Sequence, residues 1–473
     1  MRGGRRPGGR SAAGVSRPAA PSDPRSGRRS SDRSRRRGRG APRGPPRSRP
    51  GRCTMIRPPA LVDVAPGPLL LSGLGGGPGS AAHLSRFGPL PDPDADHLLA
   101  QFAPLAVRGR GGAGFPMARK LETVLERRSS LPGRRPVVVV NAAEGEPASA
   151  KDTALLEVAP HLVLDGAVLA ARAIGARSIH VVTAADRQWA GTAVTTAIAD
   201  RQDRGVRWQW HEAEPRFVSG QARAVLELIA GRTGLPVTSW APEAVDGHRG
   251  RPTLLSNAES FAHLAAIVRW GAERYASHGT AAEPGTTLLT LTTPPQSDGR
   301  FAGVRVVEVE HGAPAGSVLG DEALRAPLLI GGFHGSWVHP DDVADVRWSN
   351  AHLRRVGASL GAGSVLSLAT GACPVAETAR YTAYLAAETA GRCGPCRNGL
   401  PALAREVEAL AHGVDSRPRI EELTGLVRGR GACAHPDGTA RLVASLLTTL
   451  DDHVEAHLRQ RCSCHADLAV EAL

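Results

Sequence analysis

The stretch from 137 to 211 alternates short β-branched runs with helical patterns, and this alternation restricts the possible fold more than any other feature of the sequence. Val137 to Val140 are four consecutive valines, which is typical of a strand buried on both faces. Strands that alternate with helices indicate an α/β fold with a mostly parallel, doubly wound sheet. The elements predicted after the valines are a helix near 160–174, a strand over Ser178–Thr183, a helix near 190–200 and a strand over Val206–His211.

Two later regions have different patterns. Thr286–Thr293 and Val304–Glu310 alternate like strands, which predicts a small α+β unit. From about residue 373 the apolar residues keep helical spacing almost to the C-terminus, which predicts a helical bundle. The predicted domains are a tail over 1–54, an α/β domain over 55–275, the α+β unit over 276–348, the bundle over 349–460 and a flexible tail over 461–473.

The N-terminal 54 residues are rich in Arg, Pro, Gly and Ser. Residues 1–52 hold 17 Arg and two Asp, so they account for more than the whole net charge of +13. A segment with so few large apolar residues is predicted to be disordered, and Met55 is a possible alternative start. An arm for RNA or an anionic surface is the alternative. The near-neutral remainder shows no basic face, so we expect no nucleic-acid partner. No apolar run is long enough for direct membrane insertion.

A glycine loop, Gly109-Arg110-Gly111-Gly112-Ala113-Gly114-Phe115, precedes a predicted helix. Its glycines let backbone N–H groups converge on an anion, and the helix adds its positive end. Lys120, one turn into the helix, is one of two lysines among 58 basic residues, which suggests a position that needs a compact charge. The loop alone is equally compatible with an ordinary tight turn.

A second motif follows the valine strand, where ligands bind in open α/β sheets. It contains Asn141, Glu144 and Glu146, with Lys151 and Asp152 shortly after. These side chains suit hydrogen bonds to a ribityl chain, a flavin edge or a nicotinamide carboxamide. The alternative is a solvated loop.

Seven cysteines cluster toward the C-terminus, and their odd number does not indicate a disulfide framework. Cys393 and Cys396 are spaced to hold one metal or cluster, and Cys433 follows later. Thiols of this kind favour a reducing compartment, hence the cytoplasm. Zinc bound by these three cysteines and His435 is an alternative, and incidental thiols are another.

These blocks, in this order, resemble the flavin-bearing, NADH-binding subunit of NADH-quinone oxidoreductase, or respiratory complex I. The family's loop reads G-R-G-G-A-G-F-P, followed by N-A-D-E-G-E-P and K-D, and Arg251–Glu259 looks like its P-T-x-x-N-N-V-E-T segment. The similarity spans about 105–458. It implies a Rossmann-like FMN/NADH domain, then a β-grasp soluble-ligand-binding domain, then an α-helical iron–sulfur bundle.

The resemblance also implies the site. No side chain is expected to be catalytic, since hydride transfer is flavin-mediated. A [4Fe–4S] cluster is expected on Cys393, Cys396 and Cys433, with its fourth ligand open among Cys373, His435, Cys462, Cys464 or none. The residues expected at FMN or NADH are Gly109, Arg110, Gly111, Gly112, Gly114, Phe115, Lys120, Asn141, Glu144, Glu146, Gly220, Ser256 and Asn257.

The implied function is an NADH dehydrogenase-like flavoprotein that passes electrons through FMN to the cluster. Expected partners are other redox subunits, a ferredoxin or a membrane reductase, which would hold the protein at the inner face of the membrane. The family's acids are replaced by Ala143, Gln221 and Ala222, and its first cluster cysteine by Ala390. These departures suggest a stand-alone paralogue. They also leave open a redox relay without NADH oxidation, or an assembly scaffold.

Overall fold

The computed structural model describes residues 56–59, 62–131, 133–368 and 371–462. The predictions for the two tails, including Cys464, lie outside these residues. The strands are β1 (Asp63–Val64), β2 (Val137–Ala142), β3 (Ser178–Ala184), β4 (Arg207–Ala213), β5 (Thr253–Asn257), β6 (Thr286–Thr292), β7 (Arg305–Glu310), β8 (Leu328–Ile330), β9 (Ser336–Val338) and β10 (Ser364–Ser367). The α-helices are α1 (Ser80–Phe87), α2 (Ala95–Phe102), α3 (Met117–Ser130), α4 (Lys151–Val158), α5 (Pro160–Ile174), α6 (Gln188–Ala199), α7 (Ala222–Ile229), α8 (Ala258–Trp270), α9 (Ala272–Ala276), α10 (Pro340–Val343), α11 (Asn350–Leu353), α12 (Pro374–Ala387), α13 (Leu400–Ala411), α14 (Arg417–Val427), α15 (His435–Thr449) and α16 (Asp451–Leu458).

The first sheet confirms the predicted parallel arrangement. Its four strands lie in the order β4–β3–β2–β5, and every neighbouring pair is parallel. Val138 and Val140 pack into one hydrophobic cluster, whereas Val137 and Val139 pack into another. The valine run is therefore buried on both faces, as four consecutive β-branched residues predict.

Helices α5 and α8 pack closely beside this sheet. Gly166 makes the approach possible, because a Cβ at this position would overlap the carbonyl oxygen of Phe261. No single helix in the described ranges is long and apolar enough to cross a membrane, although α4 and α5, which meet at 96°, pass that test as a bent pair by length and composition.

The second sheet is mixed, with the order β1–β7–β6–β10–β8–β9. β1 pairs with β7 in parallel, β10 pairs with β6 in parallel, and the other neighbours are antiparallel. β1 and β10 lie outside the predicted 276–348 range, so this sheet is assembled from segments distant in sequence. Trp348 and Leu353 pack with apolar residues of its strands in a separate hydrophobic cluster.

The helical pattern from residue 373 is present as α12 to α16. Leu403, Val407 and Leu410 of α13 are buried, as their spacing indicates. The apolar series from Leu442 to Leu458 is divided between two helices, because Leu450 has φ −121° and separates α15 from α16. Cys396 lies in a π-helical turn, Pro395–Gly399, that leads directly into α13.

Candidate functional site

One cavity of about 320 Å³ collects most of the residues that the motifs predict for a cofactor. Its walls come from the glycine loop, the loop after β2, the end of β5 and helix α15. A cavity of about 300–1,000 Å³ is typical for small-molecule sites. The predicted residues that line it are Arg110, Gly111, Gly112, Asn141, Glu144, Glu146, Gly220 and Asn257.

Three residues of the glycine loop, Gly111, Gly112 and Ala113, line this cavity. The N–H of Gly109 donates to the carbonyl oxygen of Phe115 at 2.9 Å and closes the loop. Gly112 has φ +90°, in the left-handed region that favours glycine. Within the described part of the chain, the amides of Gly111, Gly112 and Ala113 donate no hydrogen bond. Converging backbone amides without an internal acceptor form an anion-binding concavity.

The side chain of Arg110 anchors the loop. Its Nη2 donates to the carbonyl oxygen of Thr286 at 2.8 Å, and its Nε lies 3.7 Å from Oε1 of Glu259. The backbone N–H of Arg110 donates to Oγ of Ser260 at 2.9 Å. These contacts fix the loop to α8 and β6, so its remaining amides keep a defined direction.

Lys120 and Phe115 do not line the cavity. The Nζ of Lys120 donates to the carbonyl oxygen of Leu255 at 3.1 Å, and burial lowers the pKa of this amine. Phe115 is 49% exposed at the end of the glycine loop. Lys120 thus connects α3 to β5, and Phe115 offers a ring to solvent or to a ligand outside the cavity.

Three further predicted residues do not line the cavity itself. Gly109 and Gly114 line a small adjoining crevice. Ser256 is buried in β5, where it pairs in register with Val140. Because side chains alternate along a strand, the side chain of Ser256 lies on the face opposite to that of Asn257 and does not reach the cavity.

Glu144 holds the start of α4. Its carboxylate accepts hydrogen bonds from the hydroxyls of Ser149 at 2.6 Å and Thr153 at 2.7 Å, and from the amides of Asp152 and Thr153. Burial raises the pKa of Glu144, but Arg187 and these hydroxyl donors outweigh burial, so its pKa is lowered. Glu144 is therefore ionised, and both of its carboxylate oxygens accept hydrogen bonds from the protein rather than from a ligand.

Glu146 behaves in the opposite way. Burial raises its pKa to about 8, although the amides of Phe333 and Ala148 donate to its two oxygens at 2.8 and 3.2 Å. A carboxyl group in this state carries a proton near neutral pH and can donate a hydrogen bond into the cavity. Of the two predicted acids, only Glu146 has a raised pKa and could therefore donate a hydrogen bond to a ligand.

Lys151 is the centre of a buried ionic network under the cavity. Its Nζ lies 2.8 Å from Asp152 Oδ1, 2.9 Å from Glu259 Oε2 and 2.9 Å from Asn257 Oδ1. Burial lowers the pKa of Lys151, but the two carboxylates outweigh burial and raise it. The ammonium stays charged and fixes the polar floor of the site.

Asn141 and Asn257 are register partners at the carboxyl ends of β2 and β5. The Nδ2 of Asn141 donates to the carbonyl oxygen of Gly220 at 2.8 Å, and its Oδ1 accepts from the amide of Ala143 at 3.2 Å. Parallel strands end at one edge of the sheet, which explains why two motifs 116 residues apart meet here.

The three predicted cluster cysteines are neighbours. Burial, followed by contact with Cys393 and the charge of Cys433, raises the pKa of Cys396 to about 12. Burial and the nearby Cys393 also raise the pKa of Cys433. The raised pKa values show that the thiolate forms are unfavourable in this environment. A bound cation would stabilise these thiolates.

Two candidates for a fourth ligand have other contacts. His435 uses both ring nitrogens elsewhere, with Nδ1 at 3.0 Å from Nε2 of His334 and Nε2 at 2.9 Å from the carbonyl oxygen of Leu385. The zinc alternative with His435 is therefore not supported. Cys373 comes together with His457 and Cys462 in a separate group.

Helix α15 joins the cavity to the cysteines. Ala434, Gly438 and Arg441 line the cavity, and Cys433 immediately precedes Ala434. His334 also lines it. One wall of the cavity is thus the same helix that begins beside the predicted cluster ligand Cys433.

Several lining residues were not predicted. Gly331, Gly361, Ala362, His334 and Arg441 reach the cavity from the turn after β8, the loop before β10 and α15. The glycine-rich turn after β8 was visible in the sequence, but no spacing linked it to the first motifs.

Comparison with known proteins agrees with this arrangement. Residues 103–266 match the family described as the Nuo51 FMN-binding domain, and residues 376–457 match the NADH-ubiquinone oxidoreductase-F iron–sulfur binding region. The chain is similar to the F-type subunits of NADH-quinone oxidoreductase. Two such F-type subunits, from Streptomyces coelicolor and Rickettsia typhi, are 27% and 26% identical to it. These alignments cover 77% and 78% of this chain and 84% and 90% of the two relatives.

The fold of the chain also resembles that of solved structures. A chain of the NAD+-reducing [NiFe]-hydrogenase in the H2-reduced state is 26% identical, with a TM-score of 0.67 over 77% of this chain. The air-oxidized state gives 25% identity and a TM-score of 0.69 over 84% of this chain. This chain spans 63% and 68% of the two hydrogenase chains.

Proposed function

We propose that this protein is an NADH-oxidising flavoprotein that passes electrons from NADH through FMN to an iron–sulfur cluster. The proposal rests on the position of helix α15, which lines the cavity and begins beside Cys433. The glycine-loop amides of Gly111 to Ala113 and the start of α15 border one cavity, and Cys433 directly precedes that part of α15. A flavin in this cavity would lie beside the cluster cysteines.

The residues present fit FMN. The amides of Gly111, Gly112 and Ala113 have no acceptor within the described residues and would hold the phosphate. Helix α3 begins at Met117, just beyond the loop, so its positive end favours the same anion. Asn141 and Asn257 would form the polar floor, together with the charged Lys151 beneath them.

A bound FMN would supply hydride acceptance from NADH and release of single electrons, and the protein would supply position and electrostatics. Glu146 holds a proton on its carboxyl group near neutral pH and would donate a hydrogen bond to an acceptor atom of the ligand. His334 and His435 remain neutral, because burial lowers the pKa of both, that of His435 to about 4. The wall between cavity and cysteines therefore carries no imidazolium charge.

The cysteines fit a cluster with three protein thiolates. Cys393, Cys396 and Cys433 would bind three irons of a [4Fe–4S] cluster, and the position of the family's first cysteine is Ala390. The helix that begins at His435 follows Cys433 closely, so its positive end would favour an anionic cluster held there.

The fold would divide this work among three parts. The parallel sheet and its helices, about 55–275, would bind FMN and NADH. The second sheet, centred on 276–348, would be the β-grasp part, and the helices over 349–460 would hold the cluster. Other redox subunits would receive the electrons, with a ferredoxin or a quinone-reducing membrane partner as the final acceptor. The protein would work in the cytoplasm, attached to the membrane only through partners.

A redox relay without NADH oxidation is the second candidate. Ala143 and Gln221 line the cavity where the family has acids, so contacts that orient the nicotinamide would be lost. Each lost hydrogen bond would cost about 0.5–1.5 kcal/mol. Such a relay would keep flavin and cluster but would not be reduced by NADH.

Anaerobic purification of the full chain distinguishes these functions. Flavin, iron and sulfide are quantified, and the absorbance spectrum is recorded before and after NADH. Stoichiometric FMN that bleaches with NADH, together with bound iron and sulfide, supports the dehydrogenase. Flavin and cluster that respond to dithionite but not to NADH or NADPH support the relay. Protein without flavin and iron excludes both.

A further inference from the structure

A second group of metal-binding side chains lies at the ends of the helical bundle. The ligand atoms of Cys373, His457 and Cys462 all lie within 4.8 Å of one another. Cys373 directly precedes α12, His457 is in the last turn of α16, and Cys462 follows that helix. The region matched to the iron–sulfur family ends at His457 and begins after Cys373, so this group brackets that region.

His457 is oriented as a ligand. Its Nε2 lies 2.9 Å from the carbonyl oxygen of Ala411, which can only accept, so Nε2 carries the proton and donates it. Nδ1 therefore presents its lone pair, and it lies 3.5 Å from Sγ of Cys373. Metal-binding histidines characteristically use a backbone carbonyl in this way to fix their tautomer and ring orientation.

The spacing also suits a tetrahedral ion. Zn–S bonds of about 2.3 Å and Zn–N bonds of about 2.0 Å place neighbouring ligand atoms roughly 3.5–3.8 Å apart. The Sγ of Cys373 and Nδ1 of His457 already have this separation. Two thiolates and a neutral imidazole around a divalent ion sum to zero charge, which is compatible with the burial of Cys373 and His457.

We propose that Cys373, His457 and Cys462 bind a structural zinc ion that connects the start of the bundle to its end. Two sulfur ligands and one nitrogen ligand in a tetrahedral arrangement favour zinc among the common metals. A fourth ligand would complete the tetrahedral coordination. This site is chemically separate from the cluster cysteines, and it does not depend on the proposed electron transfer.

The site would stabilise the bundle against separation of its terminal helices. Helix α16 contacts α12 and α15, and Cys462 follows it closely. An ion bound to both sides would add the free energy of metal binding to the folded state alone. Chelation would therefore lower the melting temperature of the bundle.

Metal analysis of the full chain tests the proposal. Zinc and iron per chain are measured by inductively coupled plasma mass spectrometry for the anaerobically purified protein and for Cys462→Ser and His457→Gln. We expect about one zinc in the natural chain and at least a tenfold loss of zinc in both variants, with iron unchanged. Cys462→Ser is the primary variant, because this residue lies beyond the last helix and is only partly buried, whereas Cys373 is buried.

Matched variants separate this site from the cluster and from nonspecific effects. His453→Gln, one turn earlier on α16, should keep its zinc. Cys393→Ser should lose iron but keep zinc. Cobalt(II) supplied to zinc-depleted protein should give the absorption of a tetrahedral thiolate site, and Cys462→Ser should not.

Three results would overturn the zinc site. The first is zinc content unchanged by Cys462→Ser and His457→Gln. The second is loss of iron in these variants, which would make the group part of the cluster. The third is a Cys373–Cys462 disulfide in the anaerobically purified protein, detected by peptide mapping without reductant.

Discussion

The Nζ atom of Lys151 lies 2.9 Å from Oε2 of Glu259, and both side chains are buried. Asp152 and Asn257 accept hydrogen bonds from the ammonium, and the Glu259 carboxylate adds a buried ion pair. An arginine would bring a larger planar group with five donors into this space. This contact explains why a lysine persists in a chain whose other basic residues are almost all arginines.

The first prediction concerns this lysine. Lys151→Met leaves Asp152 and Glu259 buried without their cation, and we expect a loss of about 3–5 kcal/mol in the free energy of unfolding. Lys151→Arg keeps the charge but overpacks the site, for an expected loss of about 1–3 kcal/mol. Urea unfolding measures both. Lys120→Arg, at the partly exposed second lysine, is the control and should change little. Equal stability of Lys151→Arg and the natural chain would refute the steric argument.

The second prediction concerns the pH dependence of Glu146. Because burial raises its pKa from 4.5 to about 8, its stabilising contribution is complete below pH 4.5 and is lost as the pH rises through 8. Glu146→Gln removes this contribution to the pH dependence of the free energy of unfolding. Each pKa unit corresponds to about 1.4 kcal/mol, so the variant should gain up to a few kcal/mol relative to the natural chain between pH 6 and pH 9. Urea unfolding at the two pH values measures the difference.

The exposed Glu126→Gln is the control for this experiment, and its pH profile should follow that of the natural chain. Parallel profiles for Glu146→Gln and the natural chain would show that Glu146 is ionised in the folded protein. Its role as a hydrogen-bond donor to a ligand would then be excluded.

The third prediction concerns the glycine loop. Gly112→Ala forces a side chain into φ +90° beside the cavity, which tilts the amides that would hold phosphate. We expect at least tenfold weaker FMN binding, measured by fluorescence titration of flavin-depleted protein. Gly205→Ala has a similar φ of +78° in open space before β4 and should cost comparable stability without loss of FMN. If both variants bind FMN equally well, the loop does not hold the cofactor.

The fourth prediction is a gain of function at Ala390. The backbone N–H of Ala390 hydrogen-bonds to the thiol of Cys396, so Ala390→Cys would place a fourth thiol beside the proposed cluster. We expect iron per chain to rise toward about four and the cluster to resist a chelator for longer. Ala387→Cys, at the end of α12, adds a thiol away from this position and should have no such effect. Unchanged iron and chelator resistance in Ala390→Cys would argue against a cluster at these cysteines.

Local chemistry made much of the fold predictable. The valine run predicts β2, and the alternation after it predicts a parallel sheet whose strand ends bring Asn141 and Asn257 together. The sequence did not show which of Ser256 and Asn257 faces the cavity, because neighbouring residues on a strand point to opposite faces. Lys120 was placed correctly on a helix, but its direction depends on how α3 packs against β5.

Contacts between distant segments were not predictable from spacing. β10 inserts between β6 and β8 in the second sheet, and nothing in its four residues indicates this choice of partners. His334 reaches the cavity from the turn before β9. Cys373 and Cys462 were visible as possible ligands, but their common partner His457 depends on the packing of α12 against α16. Such relations follow from tertiary packing rather than from local propensity.

Helix α15 supplies one wall of the cavity, and this has a consequence for how the protein matures. A ribosome-bound chain that has not yet released residues 434–441 has the glycine loop and the first sheet but lacks that wall. We therefore expect flavin loading to follow translation, and a chain truncated before α15 should accumulate as apoprotein even when FMN is abundant.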